Sequence, residues 1–112
     1  MTLRAKMKIG IIISSNDAET VWNALRFANF CLGQHDETKI FLMGKGVECE
    51  KIDTDKYHVT EELQKFIQLN GKIFACGTCI KSRNQKDSEL CPINTMKEMY
   101  DIVKESDKVV TF

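Results

Sequence analysis

Between Met7 and Ser14 the chain reads MKIGIIIS, an almost unbroken apolar run with three consecutive isoleucines. β-Branched side chains lose rotamer freedom in a helix and pack well on a pleated surface. A strand with one wet face alternates apolar and polar residues, whereas a continuous run belongs to a strand covered on both faces. Such strands occur in parallel sheets flanked by helices, and this one segment therefore restricts the chain to an α/β architecture more than any other.

The rest of the chain fits that frame. Asn16 and Glu19 have capping-box spacing and predict a helix running to about Gly33. Val21, Ala24, Leu25, Phe27, Ala28, Cys31 and Leu32 share one broad face of it, while Trp22 and Phe30 fall outside that face. Lys39 to Met43 reads as a second strand, and Lys45 to Tyr57 as a polar, irregular connection with a helical turn near Val47. Thr60 to Leu69 reads as a helix, with Gly71 suited to the C′ position. Lys72 to Ala75 is a third strand, followed by a short helix from Gly77 or Thr78. A short strand is expected within Leu90 to Ile93, beside Pro92. Thr95 and Glu98 form a capping box for a helix to about Glu105, with Met96, Met99, Tyr100 and Val103 on one face. Lys108 to Phe112 closes the chain as a strand. Strands alternating with helices at these short intervals predict a mostly parallel sheet with helices on both faces. With 112 residues, no repeat and no linker-like tract, residues 1–112 form one expected domain.

Composition excludes several function classes. Lys plus Arg and Asp plus Glu both number 16, and no run of like charge builds the basic face that nucleic acid requires. The apolar N-terminal run is too short for a signal h-region or a membrane span. A cytoplasmic protein with no membrane and no nucleic-acid contact is expected. Five cysteines, without the density of a disulfide framework, are then free, reactive or metal-bound thiols.

Two of those cysteines stand out. ACGTC places Cys76 and Cys79 directly after the third strand. In an open α/β sheet, chemistry gathers at the carboxyl ends of strands. A thiol at a strand-to-helix turn faces unpaired backbone N–H groups and the positive end of a helix dipole, which favours the thiolate. Gly77 permits the tight turn, and Lys81 and Arg83 add positive charge. The expected arrangement has Cys76 pointing into the mouth at the strand end and Cys79 partly covered by the helix. Cys31 reads as a core residue and Cys49 as an incidental thiol in a polar loop. One CxxC plus a solitary Cys91, with His35 and His58 isolated, does not make a zinc or iron–sulfur pattern, so no metal and no other cofactor is expected.

The segment GKIFACGTCIKSRN and the ending INTMKEMYDIVKESDKVVTF resemble the DsrE/DsrF-like family. The first matches its strand, cysteine turn and CxxCxxxR segment, and the second its last helix and strand. That resemblance implies a cytoplasmic subunit with a five-stranded, mostly parallel sheet and flavodoxin-like layering, assembled as a homotrimer or hexamer. It further implies a sulfur carrier or sulfurtransferase that holds sulfane sulfur as a persulfide, exchanged with sulfur-donor and sulfur-acceptor proteins. The family's active cysteine falls on Cys76 and the second cysteine of the CxxC variant on Cys79. Asn84, where relatives often carry Gly, and the additional thiol Cys91 depart from the pattern. Two other readings fit the same residues: a CxxC thiol-disulfide oxidoreductase, and a non-catalytic assembly or binding module. The thioredoxin comparison is weakened by Ala75 before Cys76 and by the motif's late position in the chain.

Overall fold

The structure, a computed structural model, describes residues 6–83 and 93–112. Strand β1 (Lys8–Ile13) is an inner strand of a sheet whose other members are β2 (Glu37–Leu42), β3 (Lys72–Cys76), β4 (Ile93–Asn94) and β5 (Lys108–Thr111). The strand order is β4-β3-β2-β1-β5. Every pairing is parallel, with Ile11 in register against Ile40 and Val110, and Phe41 against Phe74. Four strands have four to six residues, and β4 adds only two. Of the expected strand within Leu90 to Ile93, Ile93 lies in β4, and Leu90 to Pro92 lie outside the described residues.

The Ile-rich run behaves as its composition dictates. Ile9, Ile11, Ile12 and Ile13 are all buried, which requires cover on both faces of β1. On one face α1 (Ala18–Gly33) packs against α2 (Val59–Gln68). On the other lies α4 (Met96–Glu105), which sits so close to β1 that a Cβ on Gly10 would meet Ile102 Cγ2 at 2.8 Å and Ser106 Oγ at 2.6 Å. Two carboxylates fix the start of β1: Asp36 accepts from the Met7 N–H at 3.1 Å and Asp107 from the Lys8 N–H at 2.8 Å.

Helix ends show where local chemistry decides. Asp17, not Asn16, caps α1, because its carboxylate accepts from both the N–H and the hydroxyl of Thr20, at 3.0 and 2.8 Å. The acid beside Asn16 wins through this two-pronged, charge-assisted contact. Asn70, with φ of 68°, takes the left-handed position after α2 that Gly71 was expected to fill. Gly71 is needed for a different reason, since a Cβ there would run into the Phe66 ring. The Thr95–Glu98 capping box is formed, but α4 turns differently from its apolar pattern. It buries Ile102, while Met96, Tyr100 and Val103 face outward. Among the described residues a single helix covers this side of the sheet, so only its inward stripe finds apolar partners.

Candidate functional site

Three segments converge at the carboxyl edge of the sheet. The first is the turn after β1, where Ser15 and Asn16 lead into α1. The second is a 3-10 helix, Gly44–Lys51, after β2. It contains the helical turn expected near Val47 and extends it to eight residues. Its start is fixed by Gly44, with φ of 53°, and by Gly46, whose Cα approaches the backbone of Ile13 so closely that a Cβ has no room. The third is Cys76, the last residue of β3, with α3 (Gly77–Ser82) following directly.

Cys76 and Cys79 come together here. Both are free thiols: Cys76 ends β3 and Cys79 lies three residues on, in the first turn of α3. Residues three apart across a helix start have the Cα spacing that a disulfide needs. The Gly44 N–H donates to Cys79 Sγ at 3.2 Å. Arg83, one turn beyond, donates to the Cys79 carbonyl at 3.2 Å and, through Nε, to Glu48 Oε2 at 2.6 Å. Asn16 donates to the other oxygen of Glu48 at 3.3 Å. Asn16, Glu48 and Arg83 therefore tie together the segments that follow β1, β2 and β3.

The expected exposures of the two thiols are reversed. Cys76 is 5% exposed and belongs to the core cluster, whereas Cys79 is half-buried at its edge. Alternation along β3 points Cys76 away from the Ala75 face, beneath the first turn of α3, while the CxxC spacing carries Cys79 to the rim. The expected thiolate-favouring setting also fails at Cys79. Burial pushes its thiol above the ordinary 9.0, and the hydrogen bond to Cys76 keeps the proton in place. The Gly44 N–H and the Arg83 charge act in the opposite direction and are outweighed.

The remaining cysteines are settled in part. Cys31 is buried in the core as expected. Cys49 is buried too, at 1% exposure, because the 3-10 helix folds inward instead of forming a polar loop. Cys91 and Asn84 lie outside the described residues. His35 and His58 are exposed. Among the described residues no group of three or more His, Cys, Asp or Glu converges as a metal site would require.

Glu48 is the residue the sequence did not reveal. Nothing in KGVECEK marks it, and its role depends on Arg83, 35 positions away. The Arg83 hydrogen bond, seconded by Asn16, holds the Glu48 carboxyl below its ordinary 4.5. A depressed folded-state value means that the pair stabilises the fold fully above pH 4.5 and loses that contribution as pH falls through the depressed value. Glu48→Gln is therefore expected to lower the urea midpoint at neutral pH, with the gap to wild type closing in acid. Midpoints measured from pH 7 to pH 3 test this, and a gap independent of pH would contradict it.

Comparison with known proteins places these features in context. Residues 7–112 match the DsrE/DsrF-like family. The chain is 36% identical over 114 residues to the uncharacterized protein MJ0989 of Methanocaldococcus jannaschii, with 95% of this chain and 100% of that one covered. It is 34% identical over 100 residues to the uncharacterized protein MK0008 of Methanopyrus kandleri, covering 84% and 83% of the two chains. Its fold is similar to that of the YchN protein of E. coli, with a TM-score of 0.82 at 21% identity over 96% of this chain and 100% of that chain. A conserved protein of unknown function from Bacteroides thetaiotaomicron, BT1422, gives a TM-score of 0.74 at 18% identity, with 94% of each chain covered.

Proposed function

We propose that this chain, which belongs to the DsrE/DsrF-like family, carries sulfane sulfur as a persulfide on Cys76, with Cys79 as its working partner. The observation that supports the reading is a pair of free thiols at the junction of β3 and α3, with the Gly44 N–H donating to the Cys79 sulfur. Sulfur transfer between thiols needs an attacking sulfur, an acceptor within reach and shelter from competing thiols. The protein would exchange sulfur with donor and acceptor proteins in a reducing, cytoplasmic setting. No described helix is long and apolar enough to cross a membrane.

Mixing the reduced protein with a persulfide donor is expected to add one sulfur atom to its intact mass, on a peptide containing Cys76 and Cys79. The double variant Cys76→Ser/Cys79→Ser should gain none. Loss of the increment on cyanolysis would identify it as sulfane sulfur. A thiol-disulfide oxidoreductase would instead reduce insulin and retain no extra sulfur. An assembly module would do neither.

Self-association is part of the same reading. Of the two aromatics outside the apolar face of α1, Trp22 is covered within the chain, by the Tyr57 ring at 5.2 Å and by the Arg26 guanidinium at 4.4 Å, and Phe30 is exposed. Met96, Tyr100 and Val103 of α4 are exposed together, and Val109 of the edge strand β5 points to the same side of the sheet, in register with Gly10 beneath α4. Apolar groups clustered on one side suit a subunit contact. Light scattering is expected to give a multiple of the 12.8 kDa chain mass, and Tyr100→Glu to reduce it. A monomer at micromolar concentration would contradict the assignment.

A further inference from the structure

We infer that sulfur reaches Cys76 through Cys79: the half-buried thiol receives the sulfane sulfur and the buried thiol stores it. This rests on the carrier reading above and adds the route. Three observations carry it. Cys76 is 5% exposed, so an incoming persulfide has little direct access to its sulfur. Cys79 sits at the edge of the core cluster and is the more exposed of the pair. Cys76 ends β3 and Cys79 follows three residues later in the first turn of α3, a spacing across a helix start that keeps two thiols within reach of one another.

The donor is an alkyl persulfide, on a protein or on a small thiol. The Cys79 sulfur attacks the terminal sulfur of the donor, the donor's S–S bond breaks, and a new S–S bond forms on Cys79. The donor leaves as a thiol, taking the proton that Cys79 gives up. The Cys76 sulfur then attacks the outer sulfur of the Cys79 persulfide. That S–S bond breaks, Cys76 gains the sulfane sulfur, and the Cys76 proton passes to Cys79, which returns to a thiol. One sulfur atom is transferred in each step, and no oxidant or reductant is consumed. The Gly44 N–H and the Arg83 guanidinium stand beside the negative charge that develops on Cys79 as its proton leaves. Discharge to an acceptor runs through the same steps in reverse. Burial gives the arrangement its purpose. A persulfide on an exposed thiol is lost to any small thiol that collides with it, because exchange depends on access. On Cys76 it is sheltered, and Cys79 controls its release.

The test compares the wild-type protein with Cys79→Ser and Cys76→Ser, using glutathione persulfide in one arm and persulfide-loaded rhodanese in the other. Time points are quenched by alkylation, and the extra sulfur is placed by fragment-ion mapping. Wild type is expected to accumulate it on Cys76. Cys79→Ser should load Cys76 at least ~10-fold more slowly. Cys76→Ser should load Cys79 at the wild-type rate and lose the sulfur faster when glutathione is added. Slowing in one arm alone would assign the route to that class of donor. Loading of Cys76 in Cys79→Ser at the wild-type rate in both arms overturns the route and leaves the carrier reading standing. Failure of the wild type to take up sulfur from either donor overturns the carrier reading itself. A brief iodoacetamide pulse on the native protein gives an independent measure, with Cys79 labelled before Cys76; the opposite order also overturns the route.

Discussion

Phe66→Ala is expected to lower the stability of the fold by about 3–5 kcal/mol. Phe66 is fully buried on α2 and sits among the side chains between the α1–α2 layer and the sheet. Its ring occupies the space above Gly71, where no Cβ fits, and the Gly71 N–H donates to the Phe66 carbonyl at 2.9 Å. The aromatic ring therefore fills a volume bounded partly by backbone, which collapses poorly when the ring is removed. The cost consists of the lost transfer free energy and of the cavity left behind. Against a total stability of about 5–15 kcal/mol, that loss is large. Urea unfolding at neutral pH should show the midpoint fall by roughly 1.5–3 M at an unchanged slope. A change below about 1 kcal/mol would mean that the α1–α2 layer repacks around the gap.

Gly46→Ala is expected to be nearly as damaging, and to act on the candidate site as well. A Cβ at Gly46 would stand 2.8 Å from the carbonyl carbon of Ile13 and closer still to its oxygen. Ile13 ends an inner strand, β1, and its carbonyl accepts from the Met43 N–H at 3.0 Å, so neither side can give way. The 3-10 helix has to lift. Lifting it strains the Gly44 contact to Cys79 and the Glu48–Arg83 pair, both of which depend on its seat. Overpacking against fixed backbone costs about 3 kcal/mol, at the upper end of such penalties. A chain of this length should then melt roughly 10–15 °C lower. Alkylation of Cys76 should quicken relative to wild type. Gly10→Ala is the comparison, because its Cβ meets side chains, those of Ser106 and Ile102, and not backbone. A Gly46→Ala melting point within a few degrees of wild type would show that the segment adapts without cost.

Which expectations held depends on the range over which each cause acts. The buried strand β1 followed from its isoleucines, because side-chain shape and burial on two faces act within one segment. The Thr95–Glu98 box formed as anticipated, since cap and acid lie three residues apart. The cap of α1 was misplaced by one residue because Asn16 and Asp17 compete locally, and the carboxylate gains a second bond from Thr20. Asn70 takes the left-handed turn because Gly71 is claimed by the Phe66 ring, a contact not visible from turn propensity. The apolar stripe of α4 was legible, but not its direction, which is set by how one helix lies across three strands.

The sequence by itself determined the alternation of strands and helices, the parallel class of the sheet, and the position of a CxxC at the carboxyl end of β3. Each of these follows from periodicity, capping or spacing over a few residues, where covalent geometry restricts the outcome. Tertiary structure alone decided which thiol is sheltered. It also decided that a backbone N–H from beyond β2 reaches Cys79, and that Glu48 meets both Arg83 and Asn16. Those contacts join segments more than 30 residues apart. No local propensity encodes them: they arise because parallel pairing brings the ends of β1, β2 and β3 to one edge, and only there do burial and charge act on the same sulfur atoms.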